Sequence, residues 1–168
     1  MNKGILAVIL ILVGVPVILV PILTSSEKQN QSFTFSTALV DSGGNDFDNE
    51  SLKGKPLVIN FFASWCDPCK REMSEIQKIQ NQSYKPVNAA FYLDEQEVTF
   101  IGINSRETDL DKAEELIAQT GATYLILYGD DGTLLQNAGA VGLPFTIFVD
   151  RDGEIVSKHL SAMSADDV

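Results

Sequence analysis

The feature that most constrains this chain is a short run of strand-forming residues that leads almost directly into a pair of cysteines. Leu57 to Phe62 is rich in Val, Ile and Phe and has the length of a buried central strand. After three intervening residues comes Cys66-Asp67-Pro68-Cys69. After the second cysteine, Met73, Ile76 and Ile79 continue a helical apolar spacing from Cys69, while Lys70, Arg71, Glu75 and Lys78 fall on other faces. A strand that ends in a Cys-x-x-Cys pair at the start of a helix restricts the fold to α/β arrangements in which both cysteines sit at a helix amino terminus.

That placement carries chemistry. The first turn of a helix offers unpaired N–H groups and partial positive charge. A thiolate there is stabilised, so its pKa falls below about 8.5, and the thiolate is the attacking species in disulfide exchange. Pro68 suits a first helical turn, where it has no N–H to lose. The expected roles are Cys66 as nucleophile and Cys69 as resolving thiol, joined in the oxidised state as a redox-active disulfide. Asp67 places a negative charge beside the nucleophile and opposes the helix effect. The competing readings of the pair are a structural disulfide or half of a zinc site. With two cysteines and one histidine, His159, the chain lacks the ligands of an ordinary four-ligand zinc site. Neither a metal nor another cofactor is expected.

The rest of the body reads as alternating elements. Phe33 to Leu39 is a candidate strand, and Asp41 to Asn49 a loop rich in Gly, Asn and Asp. Asn81 to Gln96 resists assignment. Val98 to Ile103 is a strand. Asp109 to Thr120 is a helix, with Thr108 as cap and Gly121 as terminator. Tyr124 to Tyr128 is a further strand. Thr146 to Val149 and Glu154 to Lys158 flank the hairpin turn Asp150-Arg151-Asp152-Gly153. The order strand, helix, strand, helix, strand, hairpin predicts an α/β sandwich around a mixed sheet.

Ahead of this body stands an apolar run of 19 residues, Ile5 to Leu23. As a helix it would be about 28 Å long, close to the ~30 Å hydrocarbon thickness of a bilayer. Gly14, Pro16 and Pro21 are tolerated in membrane helices. The run is longer than a usual signal-peptide core, and no Ala-x-Ala-like site follows it. Lys3 is the one charged residue before Glu27 and weakly favours a cytoplasmic amino terminus. The expected organisation is a short cytoplasmic end at 1–4, a transmembrane signal-anchor at 5–23, a tether at 24–32 and a domain at 33–168. That places the chain in the cell membrane as a single-pass protein with an extracytoplasmic carboxyl-terminal domain. A net charge of −11 argues against nucleic-acid binding, which needs clustered Lys and Arg on phosphates.

Val58-Ile59-Asn60-Phe61-Phe62-Ala63-Ser64-Trp65-Cys66-Asp67-Pro68-Cys69-Lys70 resembles the active-site region of the thioredoxin-like TlpA/ResA/DsbE family of membrane-anchored thiol-disulfide oxidoreductases. Leu52-Lys53-Gly54-Lys55-Pro56 is similar to that family's lead-in, and Gly142-Leu143-Pro144-Phe145-Thr146 to its cis-proline loop. The resemblance spans about Phe33 to Leu160. It implies a thioredoxin-like sandwich and an extracytoplasmic enzyme that exchanges disulfides with protein thiols or disulfides. Such enzymes are often reductants in cytochrome c maturation, so apocytochrome c and a membrane electron donor are the implied partners.

Several residues carry implied roles. Pro144 matches the cis-proline that lies against the cysteines, and Leu143 would offer its backbone to an extended substrate strand. Glu72 matches a glutamate that tunes cysteine acidity and relays protons; the plainer reading is a solvated helix residue. Trp65 would shield the site, against plain packing. Asn60 stands where cytosolic thioredoxins have a buried aspartate, and Ser74 where many relatives have a proline. Relatives usually continue with a helix over one sheet face, whereas Ser164-Ala165-Asp166-Asp167-Val168 reads as a helix start at which the sequence ends. The expectation is therefore a domain without its final helix, with an apolar patch uncovered around Ile147, Val149 or Ile155. Two other functions compete. A peroxiredoxin would keep a threonine where Ala63 stands. A thioredoxin-fold copper chaperone or other non-catalytic metal-binding module would recruit His159 beside the two cysteines.

Overall fold

The computed structural model describes residues 31–35, 38–81 and 98–164. Five strands form one sheet: β1 (Leu57–Phe62), β2 (Thr99–Ser105), β3 (Leu125–Asp130), β4 (Phe145–Val149) and β5 (Ile155–Leu160). Their spatial order is β3-β2-β1-β4-β5. Among the described residues the helices are α1 (Asp67–Gln80), α2 (Leu110–Thr120) and α3 (Thr133–Asn137), with a 3₁₀ turn at Asn49–Leu52. β1, β2 and β3 run parallel, while β4 is antiparallel to β1 and to β5, so the sheet is mixed as expected.

β1 is the middle strand and all six of its residues are buried. Its side chains alternate between two cores, as strand geometry requires. Leu57, Ile59 and Phe61 join one cluster with Leu134 and Leu135 of α3 and with Ile103, Leu127 and Ile147 of the sheet. Phe62 joins the other, with Met73 and Ile76 of α1, Leu116 of α2, and both cysteines. The parallel links β1–α1–β2 and β2–α2–β3 step across the sheet in one direction, so their helices pack on the same face. Gly102 in β2 makes room on that face. A Cβ there would lie 2.7 Å from Ile126 Cδ1, 3.0 Å from Tyr124 Cε2 and 3.2 Å from Phe62 Cε1.

Several expectations need correction. Phe33 to Leu39 is not a continuous strand among the described residues. Only isolated bridges at Ser32 and Val40 appear, and Phe33 and Phe35 instead pack edge-on over the first core. Asp109, not Thr108, caps α2: its carboxylate accepts from the Lys112 N–H at 3.3 Å. The α3 turn was not foreseen. Its five residues are too few for a periodic signal, and it depends on the Asp130 carboxylate accepting from the Gly132 and Leu134 N–H groups. Ile147 is 0% exposed and Val149 4%, and Ile155 packs against the first core, so no apolar patch opens there.

Residues 82–97, which include nearly all of the unassigned Asn81 to Gln96 stretch, lie outside the described residues, as do the 5–23 run, the 24–30 part of the tether and residues 165–168. Among the described residues no helix is long and apolar enough to cross a membrane.

Candidate active site

β1 ends at Phe62, and Ala63, Ser64 and Trp65 turn the chain into α1. Cys66 takes an extended backbone and occupies the N-cap of α1, and Pro68 lies in the first turn. The carbonyl of Cys66 accepts from the Cys69 N–H at 3.0 Å. The two sulfurs are bonded as a disulfide, with 5.3 Å between the Cα atoms. Cys66 is 5% exposed and Cys69 0%, so both are buried and the little exposure the pair has belongs to Cys66.

Behind Cys69, one helical turn on, lies Glu72. It is not a solvated helix residue, being 0% exposed. Its carboxylate accepts from the Asn60 amide at 2.9 Å and from the Thr146 hydroxyl at 3.1 Å. Asn60 also donates to Thr146 Oγ1 at 3.0 Å, which closes a three-residue ring across β1, α1 and β4. Burial pushes the Glu72 pKa up from 4.5 to about 7, against the pull of hydrogen bonds from Thr146, Asn60 and the Met163 backbone. The Tyr124 phenol is buried nearby without a hydrogen-bond partner, and its pKa is driven upward by burial and by the charge of Glu72. Asn60 in β1 thus supports the buried carboxyl of α1. Ser74 is accommodated in α1 by donating back to the Lys70 carbonyl at 3.1 Å.

The Leu143–Pro144 peptide bond is cis. Pro144 is buried at the head of β4, and Leu143 packs against the cluster that holds both cysteines. The structure therefore brings Cys66, Cys69 and Leu143 into one cluster and places Glu72, fully buried, one helical turn after Cys69. Trp65 is 55% exposed, which excludes plain core packing; its indole N–H donates to the Arg106 carbonyl at 3.2 Å. His159 lies on the edge strand β5, with Nε2 2.8 Å from Ser161 Oγ. Among the described residues no group of three or more His, Cys, Asp or Glu side chains is placed to hold a metal ion.

Sequence reasoning missed Glu107. Its carboxylate accepts from Ser64 N–H at 2.7 Å, Ser64 Oγ at 2.9 Å, Asn104 Nδ2 at 3.2 Å, and the N–H groups of Thr108 at 2.9 Å and Asp109 at 3.1 Å. Burial works to raise its pKa, but these donors outweigh it and the net shift is downward. Glu107 ties the loop that delivers Trp65 and Cys66 to the loop after β2. Only three-dimensional pairing reveals it, because 43 positions separate Ser64 from Glu107.

A buried disulfide at a helix amino terminus, backed by a buried carboxyl and faced by a cis-proline loop, defines a thioredoxin-like protein. The Redoxin family model matches residues 26–168, and the chain belongs to that family. It is 29% identical over 126 residues to thiol-disulfide oxidoreductase ResA of Halalkalibacterium halodurans, covering 75% of this chain and 65% of ResA. It is 28% identical over 123 residues to thiol:disulfide interchange protein DsbE of Vibrio cholerae, covering 73% of this chain and 59% of DsbE. The chain thus spans less than two thirds of the length of these relatives. Among solved structures, DsbF of MTB superposes with a TM-score of 0.61 at 29% identity, over 78% of this chain and 88% of that one. A secreted Mycobacterium tuberculosis disulfide oxidoreductase homologous to E. coli DsbE superposes with a TM-score of 0.60 at 26% identity, over 78% and 90%.

Proposed function

We propose that this chain is an extracytoplasmic thiol-disulfide oxidoreductase that exchanges disulfides with protein partners through Cys66 and Cys69, in the reducing direction. The observation that carries this reading is the Cys66–Cys69 disulfide at the α1 amino terminus, in which Cys66 keeps the little exposure the pair has while Cys69, one helical turn before the buried Glu72, has none. In the dithiol form the Cys66 thiolate attacks a partner disulfide, forming a mixed disulfide and releasing one partner thiolate. Cys69 gives its proton to Glu72, whose pKa near 7 suits it to accept one at neutral pH. The Cys69 thiolate then attacks the Cys66 sulfur, which forms the Cys66–Cys69 disulfide and releases the second partner thiol. Two electrons leave the chain, and a membrane electron donor returns them.

Trp65, Leu143 and Pro144 form the partner-binding surface. Leu143 presents backbone to an extended segment of the partner, and Trp65 walls the site on the side of Cys66. The domain at 33–168 is held by a tether at 24–32 and a membrane anchor at 5–23, with residues 1–4 in the cytoplasm. The unbroken apolar run supports the anchor, and the secreted nature of the M. tuberculosis relative supports the export of the domain. Apocytochrome c is the partner that the family resemblance favours.

The direction is tested by equilibrating the full chain in dithiol–disulfide buffers. A reduction potential near the ~ −270 mV of thioredoxin supports the reductant, whereas one near the ~ −120 mV of DsbA reverses the role.

A further inference from the structure

Arg106 is one of two non-glycine residues among those described with positive φ, and at +56° it sits in the left-handed region. A residue other than Gly, Asn or Asp held there invites a reason. Three loops meet on it. Its N–H donates to the Asp130 carbonyl at 2.8 Å, which fixes it to the end of β3. Its carbonyl accepts from the Trp65 indole at 3.2 Å. Its guanidinium Nη1 donates to the Val141 carbonyl at 2.9 Å, in the loop that leads to Leu143 and Pro144.

The path of the side chain is also built. It runs over Gly132, where a Cβ would stand 2.3 Å from Arg106 Nε and 2.9 Å from Arg106 Cγ, so any larger residue there would push the side chain off this path. The two residues that Arg106 holds are exposed and apolar, Trp65 at 55% and Val141 at 79%. One adjoins Cys66, and the other begins the loop whose Leu143 packs on the cysteine cluster. The left-handed turn lets one residue engage both: the main chain takes the tryptophan, and the side chain takes the loop opposite.

We infer that Arg106 is a positioning residue that sets the width of an apolar cleft between Trp65 and Val141, and that this cleft selects protein partners with an apolar side chain beside the attacked cysteine. The inference rests on the disulfide-exchange reading above. Arg106 takes no part in electron transfer, so a small disulfide that needs no cleft should not sense it. A peptide should, because the peptide gains by seating its flanking side chain between two walls that Arg106 holds in place.

The test uses the reduced full chain, with 5,5′-dithiobis(2-nitrobenzoate) as the small disulfide and two disulfide peptides carrying Leu or Asp beside the attacked cysteine. Arg106→Gly keeps the backbone conformation and the carbonyl that accepts from Trp65, but removes the guanidinium. Arg106→Lys restores a cationic donor. The expected result for Arg106→Gly is a rise in KM of about 10-fold for the Leu peptide, with kcat within about 2-fold. That corresponds to about 1.4 kcal/mol of lost binding. The preference for Leu over Asp should shrink, the small disulfide should react at the wild-type rate, and Arg106→Lys should recover most of the KM. An unchanged KM and preference in Arg106→Gly would overturn the inference. So would an equal slowing of peptide and small disulfide, which would place Arg106 in thiol chemistry or general stability. A wild-type chain that reacts with the small disulfide but prefers neither peptide overturns the cleft alone. A wild-type chain that reacts with none of the three overturns the exchange reading, and the cleft with it.

Discussion

Glu72→Gln should remove most of the pH dependence of the oxidised protein's stability between pH 4.5 and 8. Glu72 is fully buried, and its pKa is pushed up from 4.5 to about 7 by that burial. A carboxyl whose folded pKa lies above its unfolded value binds its proton more tightly in the fold. The stability linked to it is therefore complete below about pH 4.5 and is lost as pH rises to and through 7. At about 1.4 kcal/mol per unit, a displacement from 4.5 to about 7 amounts to a loss of about 3 kcal/mol. That is a substantial share of the ~5–15 kcal/mol that holds a typical domain.

Glutamine abolishes the titration but brings its own cost. One of its amide hydrogens must replace an acceptor in a site where Asn60, Thr146 and Met163 all donate. The Thr146 hydroxyl can rotate to accept, and the remaining mismatch costs about 1 kcal/mol at every pH. Stability at a single pH therefore does not discriminate, whereas the pH slope does. Urea unfolding of the full chain, followed by the fluorescence of its single tryptophan, should be measured from pH 4 to 8.5 for both proteins. Wild type minus variant should fall by about 3 kcal/mol across that range, mostly between pH 4.5 and 7. Parallel curves would refute the assignment of a buried, proton-holding carboxyl to Glu72.

Four further outcomes are expected, three from the structure and the last from the apolar run at 5–23. Asn60→Asp puts a second carboxylate into the ring with Glu72 and Thr146; it should cost about 3 kcal/mol or more at pH 8, partly recovered at pH 5, as read from urea midpoints. Glu107, whose pKa is lowered by its donors, should act in the opposite pH window to Glu72: its stabilisation is present above 4.5 and lost as pH falls below it, so Glu107→Gln should flatten the acid limb of the unfolding curve. Cys69→Ser should accumulate mixed disulfides with partners on non-reducing gels, because the resolving thiol is gone, whereas Cys66→Ser should form none. Alkaline carbonate washing should leave the chain in the membrane pellet; recovery in the soluble fraction with a new amino terminus near Thr24 would show cleavage instead.

The parts of the fold that were legible in the sequence are those in which local pattern and burial agree. Leu57 to Phe62 matches β1 to the residue, because a strand buried on both faces reads as one apolar block. The start of α1 was legible because Pro68 and the cysteines mark it. Gly121, at φ +70°, ends α2 as the pattern implied. What escaped was whatever depends on partners distant in sequence. The cap of α2 is a nearer miss, shifted by one residue from Thr108 to Asp109, whose carboxylate accepts from the Lys112 N–H. Phe33 and Phe35 alternate like a strand, but they pack as rings on the first core without a continuous ladder. At the site, both cysteines and Pro144 were marked by motif. Glu72 shares a helix face with Cys69, Met73 and Ile76, so its position pointed to the core, but a carboxylate there reads as solvated until its partners in β1 and β4 are seen. The ring of Asn60, Glu72 and Thr146 and, separately, the contacts of Glu107 and of Arg106 became visible only once the strands and loops were set side by side.

The central claim is that Cys66 is the attacking sulfur of a working dithiol. Its most direct test is pulse alkylation of the reduced full chain across pH 4 to 10, with the adduct located by peptide mass spectrometry. The account predicts that Cys66 is labelled first, with a midpoint below the ordinary thiol value of about 8.5, while Cys69 stays unlabelled until the chain is unfolded. Labelling of Cys69 before Cys66, or of both only above about pH 8.5, would contradict it.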